Sequence, residues 1–253
     1  MVMPEMQTER TEESFGNLMD EIRDRLELFG KNLPKSVDGF ALSQVSKLPW
    51  KVLVYRESLI WRMVELGRGA FENFENDKLV AAIVLTCVAL ETTAALWYLC
   101  AKVDTVVESK IVGDIDDDLM KMVVGIATTA PNADNSATEV VMPRPIKIKA
   151  FLKQVDRDIP GFSHQYGSLS EYAHPNWAGT SLLYSKDDTE TGVTYFGQNI
   201  RGADNTKRIG VHNLIVALAM FERSYNRISE LIPAFIKIIE GGVRNEDNQS
   251  PDE

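Results

Sequence analysis

The chain has few of the residues that build disulfide frameworks and metal centres. Its 253 residues include two cysteines and three histidines. Cys87 and Cys100 lie on one predicted helix and face different sides of it, so they cannot form a disulfide with each other. The sequence has neither a His-Glu-x-x-His motif nor paired-cysteine spacing. We therefore expect reduced thiols, a cytoplasmic location, no metal and no cofactor.

The sequence also lacks a secretory signal and a clear membrane span. Residues 1–13 are acidic and polar, without the basic and apolar regions of a signal peptide. Residues 79–101 are long and apolar enough to cross a bilayer. Glu91 lies near their centre, where a charge costs about 2.5–3.5 kcal/mol. This run therefore predicts a helix buried in a bundle, and no membrane partner is expected.

An excess of positive charge is absent as well. The chain has 27 Lys and Arg against 37 Asp and Glu, a net charge of −10. Such a balance argues against a protein that coats nucleic acid non-specifically. One local basic face stands out, because Lys149, Lys153 and Arg157 recur at four-residue steps. These side chains either contact the phosphates of a nucleic acid or form a solvated helix face.

Apolar residues recur at three- and four-residue steps over most of the chain, which predicts α-helices. The predicted helices cover residues 11–29, 49–74, a third ending near 109, 146–158, 162–174 and a long last helix from 204. Asn76 or Asp77 is the expected N-cap of the third helix. Pro233 predicts a kink or a break in the last helix.

Two short β-like runs, at 181–185 and 193–197, predict a hairpin. The expected fold is thus an all-α bundle with a small β-hairpin inserted before the last long helix. Its predicted organisation is an N-terminal helix and linker at 1–47, a helical bundle domain at 48–242 and a disordered tail at 243–253.

Two polar stretches complete the predicted organisation. Residues 131–145 predict a polar loop. An acidic cluster, which comprises Asp114 and residues 116–118, fits the first turn of a helix, where carboxylates complement the helix dipole. The alternative is a metal-binding acidic loop, but no glycine-centred calcium-loop spacing accompanies the cluster.

The densest polar chemistry lies in residues 166–179. Tyr166, Ser170 and His174 follow each other at four-residue steps and share one face of a predicted helix. A phenol, a hydroxyl and an imidazole in a row can position and transfer protons.

Pro175 ends that helix and Asn176 can organise the turn that follows. The same polar side chains can instead form a hydrogen-bonded corner that orients a loop, with Trp177 as a core anchor. Sequence alone leaves the catalytic and the structural interpretation open.

Glu91 is the second anomaly, because a carboxylate on a buried helix needs a compensating partner. Arg56, Arg62 and His174 are the candidates. A buried ion pair with an arginine is the structural interpretation, and catalysis is the alternative. A triad of Ser170, His174 and Glu91 lacks the Gly-x-Ser-x-Gly elbow that presents a catalytic serine.

Residues 166–179 follow the pattern Y-x-x-L-S-E-Y-x-H-P-N-W-x-G. This pattern resembles the signature of a family of uncharacterised bacterial proteins, and the resemblance extends over most of 48–240. More distantly, the chain resembles the HEPN superfamily of helical proteins in toxin–antitoxin and anti-phage defence systems. Many of those proteins are metal-independent endoribonucleases, with an arginine shortly before a catalytic histidine.

The resemblance implies that the protein handles RNA or nucleotides, as a homodimer, with His174 as the catalytic histidine and Glu91 contributed by an earlier helix. Tyr166 and Ser170 would position the histidine. The residues assigned to substrate binding are Lys149, Lys153, Arg157, Asn176 and Arg201. The arginine of the pattern is absent, since residues 167–169 are Gly, Ser and Leu. A guanidinium would have to come from elsewhere, from Arg56, Arg62 or Arg201.

The alternative is a non-catalytic interaction or regulatory module that resembles an antitoxin and contacts a protein partner. In that case the hydrogen-bonded corner around His174 has only a structural role. Catalysis predicts an exposed His174 in a cleft with an arginine within reach. The module predicts that His174 and Glu91 are buried and paired, with an apolar patch elsewhere.

Overall fold

The structure is a computed structural model that describes residues 4–125, 143–202 and 204–247, with side chains between 14 and 242 in those ranges. It confirms a mainly α-helical fold with one hairpin before the last long helix. In chain order the elements are α1 Pro4–Lys31, α2 Gly39–Leu42, α3 Leu48–Glu75, α4 Leu79–Ser109, α5 Ile115–Val123, α6 Ile148–Asp158, α7 Phe162–Ser170, a 3₁₀-helix Glu171–Ala173, α8 Ser181–Tyr184, β1 Ser185–Asp188, β2 Val193–Phe196 and α9 Asp204–Asp247.

Helix α4 is the central element of the bundle. It packs along α3 and α9, while α6, α7 and the 3₁₀-helix also lie against it. A helix that is apolar on all sides must be buried on most of them. Its length and composition would allow α4 to span a membrane, but 67% of its most apolar window is buried inside the protein. That burial is typical of a core helix.

The N-terminal helix α1 contributes to the same core as α3 and α9. Ile22, Leu26 and Phe29 are buried, and Phe29 meets Phe221 of α9 with ring centroids 6.0 Å apart. Gly67 of α3 allows the close approach of α1, because a Cβ there would lie 2.5 Å from Leu26. The predicted linker contains the short helix α2, whose N-cap is Asp38.

The acidic cluster begins α5, as predicted, and Asp118 has a structural role there. Its carboxylate is 7% exposed, lies 2.6 Å from Lys102 Nζ and accepts a hydrogen bond of 2.9 Å from Tyr98. Burial favours the neutral acid, but the hydrogen bonds from Lys102 and Tyr98 outweigh this and lower the pKa of Asp118. The cluster therefore ties α5 to α4.

The predicted N-cap of α4 was wrong. Helix α4 begins at Leu79, and neither Asn76 nor Asp77 caps it. Asn76 closes α3 instead, since its Nδ2 donates to the Glu72 carbonyl. Asp77 adopts a left-handed conformation with a φ of 54°, and its carboxylate pairs with Lys207 at 2.6 Å. Both polar residues thus serve the turn between the two helices.

The first predicted strand was also wrong. The run at 181–184 forms α8, because Leu183 turns into the core. The strand starts only at Ser185, which lies opposite Phe196 in the antiparallel pair of β1 and β2. The turn between the strands uses the Asp188 carboxylate, which accepts the backbone N–H groups of Glu190 and Thr191.

The last helix is longer than predicted. It continues through Pro233 without ending there and runs to Asp247, past the predicted start of the tail at 243. Ile232 and Phe235 on either side of Pro233 are buried and hold this stretch against the bundle. Residues 248–253 and most of the predicted loop at 131–145 lie outside the described residues.

Candidate functional site

The polar segment 166–179 does not form a single helix. Helix α7 ends at Ser170, the 3₁₀-helix follows, and His174 is extended with a φ of −91° and a ψ of 150°. The predicted helix at 162–174 is therefore right only for its first part. Tyr166, Ser170 and His174 nevertheless line one cavity, because the tighter 3₁₀ turn still delivers His174 to the side of α7 that carries the other two.

This cavity, named the His174 cavity, lies between α4, α6 and α7 and has a volume of about 690 Å³. It brings together all four predicted catalytic residues and one of the predicted basic residues. Apolar side chains of α4 and α6 form much of its wall. It is lined by Val84, Cys87, Val88, Glu91, Ile148, Lys149, Leu152, Ser163, Tyr166, Ser170, Ala173 and His174.

The hydrogen bond between Tyr166 and Glu91 joins α7 to α4 inside the cavity. The Tyr166 hydroxyl donates to Glu91 Oε1 at 2.5 Å, and both side chains are half-buried. Burial, together with the neighbouring carboxylate, raises the pKa of Tyr166. The phenol therefore remains protonated near neutral pH and acts as a hydrogen-bond donor, not as a base.

The predicted partners of Glu91 were wrong, because within the described residues it forms no ion pair with Arg56, Arg62 or His174. Arg56 is buried, pairs with Glu57 at 3.2 Å and stacks over the Tyr225 ring at 3.9 Å from the centroid. Arg62 donates to Thr92 Oγ1 at 3.2 Å. Both guanidinium groups thus serve the packing of α3, and the phenol of Tyr166 satisfies Glu91 instead.

His174 and Ser170 do not form a catalytic pair with each other. Ser170 Oγ donates to the Gly167 carbonyl at 2.8 Å, which closes the end of α7. The His174 side chain is exposed and makes no hydrogen bond or ion pair with the part of the chain that the structure describes. The Ser170–His174–Glu91 triad is therefore not assembled, and the imidazole is accessible at the cavity.

The thiol of Cys87 is a further titratable group in the wall of the cavity. Burial, together with the nearby Glu91 carboxylate, raises the pKa of its thiol to about 12. Because the thiolate is the nucleophilic form, Cys87 is inert near neutral pH. His174 remains the side chain of the cavity best suited to move a proton.

The residues after His174 form a tight corner organised by Asn176. Its Nδ2 donates to Glu171 at 2.6 Å, and its Oδ1 accepts the Gly179 N–H at 3.1 Å. Gly179 has no space for a side chain, since a Cβ would lie 2.1 Å from the His174 carbonyl oxygen. Asn176, predicted to bind substrate, is therefore engaged in structure.

Trp177 is not the core anchor that the sequence suggested. Its side chain is 64% exposed on the outside of the corner. The tight Asn176 turn explains this placement, because the backbone folds back towards His174 and directs the following residue outward.

The residues predicted to bind substrate separate into two groups. Lys149, Lys153 and Arg157 are exposed on α6, and Lys149 lines the His174 cavity. Arg201 lies elsewhere, where its Nε donates to the Ser185 carbonyl at 2.6 Å and its guanidinium approaches Asp187 at 3.7 Å. Among the described residues no arginine lines the cavity, so Lys149 is its nearest cation.

The apolar wall of the cavity is not evident from the sequence. Val84, Cys87, Val88 and Glu91 lie on one face of α4 at three- and four-residue steps. One feature of the sequence does mark this face, since it contains the only carboxylate of the apolar run at 79–101. The face is otherwise indistinguishable from core, because residue spacing does not show which side of a buried helix borders a cavity.

Comparison of the chain with protein-family models, with curated proteins and with solved structures found no match in any of the three.

Proposed function

We propose that the protein binds RNA at the His174 cavity and cleaves it without a metal ion, as a HEPN-like endoribonuclease of a defence or toxin–antitoxin type system. The observation that supports this proposal is the convergence of His174, Lys149, Tyr166 and Glu91 on one open cavity with apolar walls. Each group has a distinct task in the reaction.

Binding uses the apolar wall and the basic face of α6. A nucleotide base packs against the apolar wall, while Lys149 at the rim neutralises the adjacent phosphate. Lys153 and Arg157 continue the same exposed face and contact further phosphates of the strand. Lys149 takes the place of the arginine that the resemblance leads one to expect.

Cleavage starts with His174, whose imidazole removes the proton from a ribose 2′-hydroxyl. The 2′-oxygen attacks the adjacent phosphorus, and the bond from phosphorus to the 5′-oxygen breaks. The leaving oxygen takes a proton from water in the open cavity, and the imidazole returns its proton to water. The products end in a 2′,3′-cyclic phosphate and a 5′-hydroxyl. Tyr166 donates a hydrogen bond to Glu91 throughout and fixes the cavity wall.

The second candidate function is the non-catalytic interaction module. It is supported by exposed aromatic side chains at and near the hairpin, where Tyr195 is 52% and Phe196 79% exposed. Large exposed apolar groups often mark a protein interface. In this function the hairpin contacts a partner protein and the His174 corner only supports it.

The test is cleavage of mixed-sequence single-stranded RNA in EDTA by the wild type, His174→Ala and Lys149→Ala. We expect His174→Ala to lower the rate by about 10²–10⁴-fold, the range of general base catalysis. Lys149→Ala should weaken binding. The exposed Lys237 of α9 lies outside the cavity, so Lys237→Ala is the matched control.

Circular dichroism shows whether each variant is folded. If the wild type cleaves no RNA, or if a folded His174→Ala variant cleaves at the wild-type rate, the ribonuclease proposal is wrong. The first result would favour the interaction module.

A further inference from the structure

The hairpin has one strand edge that the rest of the protein leaves open. Strand β1 lies against α8, and Arg201 covers its outer side, where its Nε donates to the Ser185 carbonyl and its guanidinium approaches Asp187. Strand β2 pairs with β1 along one side, and all four of its residues, Val193–Phe196, are exposed. The outer side of β2 is therefore the open edge of the hairpin.

The hydrogen-bond pattern shows which backbone groups face this open edge. In an antiparallel pair of strands, hydrogen-bonded and non-hydrogen-bonded residue pairs alternate. The Gly197 N–H donates to the Tyr184 carbonyl at 3.0 Å, so the next pair, Ser185 with Phe196, is a non-hydrogen-bonded one. Thr194 and Phe196 consequently direct their N–H and C=O groups outward, where these groups have no backbone partner within the described part of the chain.

Strand β2 has none of the features that keep the edges of neighbouring proteins apart. Native strand edges commonly carry charges or prolines, because an open edge otherwise pairs with another strand. Strand β1 has the charged side chains of Lys186, Asp187 and Asp188, whereas the four residues of β2 include no charge and no proline. Two copies of a chain with a net charge of −10 can thus bring their β2 strands together without placing like charges opposite each other.

We infer that two copies of the chain associate through antiparallel pairing of their β2 strands. When Thr194 of one copy lies opposite Phe196 of the other, the outward groups of both residues in both copies are used, in four hydrogen bonds. Tyr195 then faces Tyr195 of the second copy across the two-fold axis, as an aromatic cross-strand pair. Because the same strand serves on both sides, the pairing closes into a dimer.

This inference rests on the hairpin and not on the proposed RNA cleavage. It also differs from the second candidate function, because it assigns the open edge to the chain itself and not to a different protein.

The size of the interface predicts weak and reversible association. The side chains of Tyr184, Tyr195 and Phe196 are 41%, 52% and 79% exposed. Since an aromatic side chain offers about 200 Å², these side chains and the strand backbones of two copies bury on the order of 1,000 Å² in total. Interfaces of this size belong to weak complexes. We therefore expect a dimer that dissociates on dilution.

The first test is sedimentation of the full-length chain over a range of concentrations. Wild type should show a reversible equilibrium between monomer and dimer. Thr194→Pro removes an outward N–H and leaves the pairing with β1 intact, since proline is tolerated at a strand edge. It should raise the dissociation constant of the dimer about tenfold or more, because two of the four hydrogen bonds are lost. Asp187→Pro is the matched control at the outer edge of β1, and it should leave the constant unchanged.

Cysteine substitutions test the register of the paired strands. Residues that face each other in a non-hydrogen-bonded pair have Cα atoms about 4.5 Å apart, which is within the range of a disulfide. Tyr195→Cys should therefore form a disulfide between two copies under mild oxidation. Thr194→Cys should not, because the two copies of this residue lie two positions out of register. Wild type controls for Cys87 and Cys100.

Three results would overturn the inference. The first is wild type that stays monomeric at every concentration, which would leave the edge to a different protein. The second is a Thr194→Pro variant, folded by circular dichroism, that dimerises as tightly as wild type. The third is a Thr194→Cys variant that crosslinks as readily as Tyr195→Cys, and this result is decisive even where the proline variant does not fold.

Discussion

At the scale of single residues, the hydrogen bond from Tyr166 to Glu91 explains how a carboxylate persists on an apolar helix. The bond is 2.5 Å long, and it gives Glu91 a neutral donor in place of the predicted arginine. A neutral partner leaves the negative charge of Glu91 in the cavity. Burial, together with this nearby carboxylate, keeps the Cys87 thiol protonated, so Lys149 and His174 are the groups of the cavity that interact with a ligand.

Tyr166→Phe should lower the free energy of unfolding by about 1 kcal/mol, because a half-buried carboxylate loses its donor. Folding raises the pKa of Tyr166. The contribution of the phenol to the free energy of unfolding is therefore complete below its unfolded pKa of about 10, and it is lost as the pH rises from there through the folded pKa. Urea unfolding at pH 7 and above pH 10 checks this. A difference between wild type and variant that stays constant up to high pH would contradict it.

At the scale of elements, α5 depends on Asp118, which links it to α4. Asp118→Asn should lower the free energy of unfolding at pH 7 by about 1–3 kcal/mol, because Lys102 and Tyr98 lose a charged acceptor. This loss of stability is moderated because the Lys102 ammonium keeps its ion pair with the Asp114 carboxylate at 3.0 Å.

The pH dependence of the Asp118→Asn effect has a fixed sign. The folded pKa of Asp118 is lowered, so its stabilisation is present above the unfolded pKa of about 3.9 and fades as pH falls through the folded value. Denaturant unfolding at pH 7, 5 and 3 should show the two proteins converging in acid. An effect of equal size at pH 3 would indicate lost packing instead of a lost charge.

The elements also show what sequence can predict. The long helices were predictable because α3, α4 and α9 bury apolar residues at regular helical steps. Helix α8 was not, because a short apolar run does not distinguish a strand from a buried helical turn, and the burial of Leu183 in the bundle accompanies a helix. The meeting of Tyr166 and Ser170 followed from their spacing on α7, whereas His174 reaches the same cavity after the 3₁₀-helix, which the spacing did not predict. The partner of Glu91 did not follow from spacing either, because it depends on how α7 packs on α4.

At the scale of the whole molecule, an acidic protein that binds RNA must concentrate its positive charge. The exposed face of α6 does this with Lys149, Lys153 and Arg157 in a chain whose net charge is −10. We expect the association constant for single-stranded RNA to fall as salt is added. Three phosphate contacts predict a slope of about −2 in a plot of log association constant against log salt concentration.

Fluorescence anisotropy with labelled RNA at several potassium chloride concentrations measures that slope. Lys153→Ala should reduce its magnitude by about 0.7, since one phosphate contact is lost. The distant Lys237→Ala should not change it. Equal slopes in wild type and Lys153→Ala would show that α6 does not hold the strand.

The central claim is that His174 activates a ribose 2′-hydroxyl in the His174 cavity. The most direct measurement compares cleavage in EDTA of an RNA oligonucleotide and of the same oligonucleotide with 2′-deoxyribose at every position. The account predicts that wild-type protein cleaves only the RNA and leaves 2′,3′-cyclic phosphate ends, and that a folded His174→Ala variant cleaves the RNA about 10²–10⁴-fold more slowly. Cleavage of both substrates, or of neither by the wild type, would contradict it.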